Sequence, residues 1–136
     1  MTDVREWAVA FVFTCVIEVP IYTLLLRRWC RWPVGLLLAI GVNLLTHPLL
    51  WILLAGGWLV DLVGSGTGWL AVMIGAEIAV WLVEASVLNW VLRRLARSGT
   101  DGAGSGRRPP VFADVALIAA LANLCSLAAG FVLWLF

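Results

Sequence analysis

Four long apolar stretches, about Trp7–Leu26, Val34–Ala55, Trp69–Leu92 and Val111–Phe136, alternate with short polar ones and take up most of the chain. Each reaches the ~20 residues that a helix needs to cross the ~30 Å hydrocarbon layer of a bilayer. A stretch that is apolar on every side of its helix belongs in lipid or in a large protein core, and 136 residues with four such stretches leave almost nothing for a soluble domain. The pattern predicts an all-α, polytopic integral membrane protein: a single domain, residues 1–136, folded as a four-transmembrane-helix bundle.

The interruptions within the stretches are more informative than the stretches themselves. In the first, Thr14, Glu18 and Tyr22 recur every fourth residue and so share one helical face. In the second, Asn43, Thr46 and His47 are three and four apart and share another. Pro20 and Pro48 each lack a backbone donor, which frees the carbonyls of Val16 and Leu44 beside those polar groups. In lipid, such a carbonyl must find another partner, so helices 1 and 2 are expected to kink towards protein or a water-lined cavity. The third stretch carries Glu77 and Glu84, nearly two turns apart on one face with Trp81 between them, and an Ala71/Gly75/Ala79 face suited to close helix packing. Small residues at 116, 119, 120, 122, 126 and 130 make the fourth the tightest-packing helix, with Asn123 and Ser126 as its polar contribution.

Arginine fixes an orientation. The chain has no lysine, and Arg27, Arg28 and Arg31 follow the first stretch while Arg93, Arg94, Arg97, Arg107 and Arg108 lie between the third and fourth. The positive-inside rule makes those two connections cytoplasmic and puts both termini and the second connection, with its short apolar patch around Asp61, on the outer side. Trp29 and Trp32 among the arginines read as an interfacial anchor. No basic leader or small-residue cleavage site accompanies the first stretch, so it is expected to be retained as a helix. The Ser, Gly and Arg of residues 98–110 form a flexible linker ending where Pro109 and Pro110 can open a helix, and no Gly-Lys-Ser/Thr makes it a phosphate loop. Cys15, Cys30 and Cys125 have no disulfide or metal spacing and read as reduced thiols. Arginine without lysine, in an Ala/Gly/Leu/Val-rich chain, suggests a GC-rich bacterial genome and hence the plasma (inner) membrane. The near-neutral charge offers nothing to a nucleic acid.

Counting 1.5 Å per residue from the arginine-rich flank puts Glu18 and Glu84 at ~13 Å, Asn43 at ~15 Å, Asn123 at ~18 Å, and His47, Glu77 and Ser126 at ~21 to 24 Å. The four spans thus bring their polar residues into one central slab, in two layers: Glu18, Glu84 and Asn43, then His47, Glu77 and Ser126. Polar side chains at that depth are costly and are by default a functional-site hypothesis. Three glutamates there meet no arginine or lysine, which leaves three solutions: protonation, a bound metal ion, or another bound cation. His47, Glu77 and Glu84 are an acceptable set for zinc, manganese or iron, although the Glu-x-x-His spacing of di-iron bundles is absent.

Four spans with a glutamate in the first resemble the small multidrug transporters in those features alone; His47-Pro48 and the Glu77/Glu84 pair fall outside that pattern. Glu, His and Asn in the bilayer are similar to the set of the CAAX-type intramembrane proteases, whose double-Glu and two-histidine motifs this chain lacks. Neither resemblance assigns a family. The first functional expectation is an intramembrane, protease-like hydrolase acting on a lipid or membrane-embedded peptide. Glu84 or Glu18 would be its general base, His47 a ligand or general acid, Glu77 the orienting carboxylate, and Asn43 and Asn123 the oxyanion donors, with Tyr22, Thr46 and Ser126 in support. The alternative is a proton- or cation-coupled carrier working as a homodimer, its glutamates alternating between protonated and substrate-bound forms. The third is a non-catalytic subunit of a membrane complex, His47 holding a haem or pigment.

Overall fold

A computed structural model describes residues 4–55, 66–98 and 108–134. They form four helices: α1 (Val4–Leu26), α2 (Trp32–Ala55), α3 (Thr67–Ser98) and α4 (Phe112–Trp134). Each contains a window long and apolar enough to cross a bilayer, and the chain is a multi-pass membrane protein. The expected segment around Asp61 and most of the 98–110 linker lie outside the described residues. α3 continues six residues beyond the apolar stretch that announced it, because Arg93, Arg94 and Arg97 are good helix formers and Arg97, in the last turn, suits the negative end of the helix dipole. α1 and α2 run through Pro20 and Pro48 without a break in helical assignment.

The helices pack as a ring of neighbours in which α1 touches α2 and α4, and α3 touches the same two. Thr14 meets His47, Thr23 lies against Gly35, and Arg93 donates from Nε to the Pro110 carbonyl at 3.3 Å, so both sequential pairs are antiparallel. One end of the ring is solid. Tyr22 and Leu26 of α1, Ala39 and Val42 of α2, Ala85, Leu88 and Leu92 of α3, and Val115, Ile118, Ala119 and Ala122 of α4 are all buried there in one cluster. This end also carries the described arginines other than Arg5, with the Arg28 guanidinium 4.2 Å from the centre of the Trp29 ring and that of Arg94 5.2 Å from Trp90. The interfacial tryptophan expected at residue 29 is therefore paired with a cation.

Small residues divide differently from expectation. Ala116, Ala119 and Ala122 are buried, as a tightly packed α4 requires. Ala71, Gly75 and Ala79 are instead exposed, and nothing stands within 4 Å of a Cβ built at Gly75. Within the single chain, α3 turns its carboxylate side inward, and the opposite face can only look out. Gly35 shows the close approach that those residues lack: a Cβ there would meet Cys30 Sγ at 3.6 Å and the Thr23 carbonyl oxygen at 3.7 Å. Alanine fits at ordinary contact distance, so Gly35→Ala is expected to leave the melting temperature in detergent unchanged or slightly raised. Gly35→Leu would overpack the α1–α2 seam and cost about 1–3 kcal/mol.

Candidate functional site

Above the solid end, the four helices part around a cavity of about 960 Å³. Its rim and walls are mostly apolar, from Ala10 and Phe13 of α1, Leu50 of α2, Leu70, Met73 and Ile74 of α3, to Leu127 and Gly130 of α4. Its polar residues are Thr14, Glu18, Asn43, Thr46, His47, Glu77, Glu84, Asn123 and Ser126, and no arginine among the described residues lines it. Every residue expected to act in the slab therefore borders this space except Tyr22, which lies buried beneath it and reaches up to Glu84.

Glu84, almost fully buried, is the hub of the floor. One carboxyl oxygen, Oε2, accepts from the Tyr22 hydroxyl at 2.5 Å and from Asn123 Nδ2 at 2.6 Å; the other, Oε1, lies 2.8 Å from Thr46 Oγ1. Three other helices thus converge on one side chain of α3. Asn123 spends its second amide proton on the Ala119 carbonyl, one turn back in α4, at 3.0 Å. Glu18, equally buried, has one oxygen 2.5 Å from Ser126 Oγ, while its other oxygen, Oε2, is buried with no hydrogen-bond partner.

Proton counting gives the two carboxyl groups a common property. A hydroxyl has a single proton, yet Thr46 Oγ1 faces two acceptors, Glu84 Oε1 and the Val42 carbonyl oxygen at 2.9 Å. Ser126 Oγ likewise faces Glu18 Oε1 and the Asn123 carbonyl oxygen at 3.0 Å. With the glutamate ionised, the hydroxyl donates to it. With the glutamate protonated, the acid donates to the hydroxyl, which turns its own proton to the backbone carbonyl. Either protonation state leaves every hydrogen in the pair bonded, and a single O–H rotation separates them. A low-dielectric site would heavily penalise an unsatisfied group in one of the two states, and this arrangement removes that penalty from both.

The two-layer grouping inferred from depth does not survive intact. Ser126 joins Glu18, not His47, because the α4 backbone brings it to α1. His47 turns to α1, its Nε2 3.3 Å from Thr14 Oγ1 and its ring edge-on to Phe11 at 5.3 Å, with Phe11 stacked in turn on Trp7. Its Nδ1 is buried without a partner. Glu77 is half-buried on the α3 wall. Among the described residues, no three His, Cys, Asp or Glu side chains form a group that could hold a metal ion, so His47, Glu77 and Glu84 are not assembled as a metal set. The reason is directional: Glu84 is turned down to its three donors, and His47 sideways to α1. Asn43 donates to the Ala39 carbonyl of its own helix at 3.0 Å and flanks Glu18. The sequence reading missed the aromatic pair Trp7–Phe11 around His47 and the Trp81 indole, which donates to the Ala116 carbonyl at 2.6 Å. For Trp7 and Phe11, the available signal was their spacing, four residues from each other with Phe11 three ahead of Thr14. Compared with family models, curated proteins and solved structures, the chain matches none.

Proposed function

We propose that this protein binds an apolar organic cation within the bundle and exchanges it for a proton at Glu18, as a proton-coupled carrier of the bacterial plasma membrane. The single observation that carries the reading is the cavity itself: drug-sized, apolar-walled, bordered by three carboxyl groups and, among the described residues, by no arginine, with His47 its one basic side chain. Such a space repels anions and offers a cation both charge and apolar contact. Glu18 is the exchanging group because it alone among the three is deeply buried with one oxygen left unbonded at the cavity. Ser126 makes both of its protonation states acceptable. Glu84, with both oxygens engaged, holds the floor.

The hydrolase reading fits these contacts less well. Of its two candidate bases, Glu84 has no oxygen free to face a water, and of its two oxyanion donors, Asn123 has spent both amide protons, so the reading is left with Glu18 and Asn43 alone for those roles. By the positive-inside rule, the arginine-bearing solid end is cytoplasmic and both chain ends lie outside, so the cavity widens towards the outer leaflet. The cavity is lined from all four helices of one bundle, so this reading needs no second copy for binding.

The chemistry is a simple exchange. The Glu18 carboxyl gives its proton to water, the hydroxyl of Ser126 turns from the Asn123 carbonyl to the carboxylate, and the arriving cation takes up the charge. Binding therefore competes with protonation. Tetraphenylphosphonium titrated into protein in lipid nanodiscs is expected to release one proton per cation, read by calorimetry in buffers of different ionisation enthalpy. Its affinity should rise about tenfold per pH unit while Glu18 is protonated and level off once Glu18 is ionised. Binding that is absent at every pH, or independent of pH, would sink the proposal.

A further inference from the structure

A second, smaller hollow of about 320 Å³ lies between α3 and α4 alone. Trp81 and Ala120 border it and not the main cavity, whereas Glu77, Ile78 and Leu124 border both. The two spaces are thus separated by little more than the side chains they share. The smaller one faces the bilayer, since Ile78 is 46% and Leu124 62% exposed on that side of the bundle. Glu77, half-buried in the dividing wall, makes no hydrogen bond among the described residues that would fix its carboxyl group in place. A carboxyl at the boundary between lipid and an apolar cavity has no structural partner here, and its chemistry suits a passing positive charge.

We propose that the α3–α4 groove is the lateral portal through which a bilayer-dissolved amphipathic cation reaches the cavity, with Glu77 as the positioning residue at its threshold. This rests on the cation-binding reading above. The Trp81 indole, tied to the Ala116 carbonyl, forms the fixed lower lip. Ile78 and Leu124 form a lip of rotatable side chains that can part without moving either helix. An apolar cation concentrates in the membrane before it binds, so entry from the side spares it a second passage through water.

The test is kinetic, because a portal changes the height of a barrier and not the depth of the well. In nanodiscs, proton release on mixing with tetraphenylphosphonium reports association, and proton uptake on dilution reports dissociation. Ala120→Phe and Ala120→Trp, which fill the groove from a residue that does not border the main cavity, are expected to slow both rates at least tenfold and leave their ratio within about twofold of wild type. Val12→Trp, on the lipid face of α1, should change neither. Glu77→Gln, nearly isosteric and safe for folding, should slow association severalfold. Unchanged rates in the groove variants and in Glu77→Gln would overturn the portal while leaving the cavity reading intact. A lost affinity through faster dissociation with unchanged association would overturn it too, since those residues would then be contacting the bound ligand. No proton release from the wild type would overturn both proposals.

Discussion

Replacing Glu84 by leucine is expected to destabilise the bundle by about 1–3 kcal/mol, from one stranded buried donor. That donor is the Tyr22 hydroxyl; Thr46 is spared because its proton falls back on the Val42 carbonyl, and Asn123 because its amide still reaches the Tyr22 oxygen at 3.5 Å. Interhelical hydrogen bonds within a bilayer average only about 0.6 kcal/mol each, since the unfolded helices also find partners there, so the lower half of the range is the sounder expectation. The neighbouring substitutions make the prediction specific. Thr46→Val removes one bond and should cost only about that average of 0.6 kcal/mol. Glu84→Gln should fold almost as well as wild type: its carbonyl oxygen can accept from Tyr22 and Asn123 while its amide donates to Thr46, which imitates the protonated acid. Denaturant titration in mixed micelles, followed by helical content, orders the three variants. A Glu84→Gln protein as weak as Glu84→Leu would refute the account of the floor as a carboxyl tolerating either proton state.

The second large effect is on binding. Glu18→Gln keeps the shape of the side chain and can donate to Ser126, whose proton then rests on the Asn123 carbonyl, so the fold is expected to persist. What disappears is the negative charge. A pair of unit charges about 4 Å apart at an effective dielectric constant of about 20 is worth about 4 kcal/mol. After partial solvation of the ligand, a loss of about 100- to 1,000-fold in tetraphenylphosphonium affinity is the fair expectation, at about 1.4 kcal/mol per tenfold. Proton release should vanish along with it. Glu18→Asp should recover part of both, because it restores the charge at a shorter reach. Full-strength, pH-dependent binding by Glu18→Gln would remove Glu18 from the exchange and turn attention to Glu77.

The four spans were legible because length and apolarity are local properties, visible without knowing which helix neighbours which. The convergence of Glu18, Asn43, Thr46, Glu84, Asn123 and Ser126 was legible too, since depth along a span can be counted. Partnership was not. Counting places a Cα, whereas Tyr22 lies a full turn below Glu18 and still meets Glu84 through the length of its side chain. Nor does a count along one helix give its rotation. His47 and Glu77 share a level and border the same cavity, but His47 is turned to Thr14 of α1, and among the described residues the metal set expected from their types and depth is not assembled. The outward turn of Ala71, Gly75 and Ala79 belongs to the same class of fact: small residues permit a close approach on any side, and the sequence does not say which side is offered a partner within the chain.

A bundle packed to van der Waals contact at one end and hollow at the other owes the shape of its hollow end to whatever solvent surrounds it. A space of 960 Å³ with apolar walls has ample room for an alkyl chain, and any single-tailed detergent that extracts the protein presents such chains in large excess. They should therefore behave as competitive ligands: lengthening the tail would first raise and then lower the apparent affinity for any test cation. The buried cluster around Tyr22, Leu88 and Ala119 would register none of it.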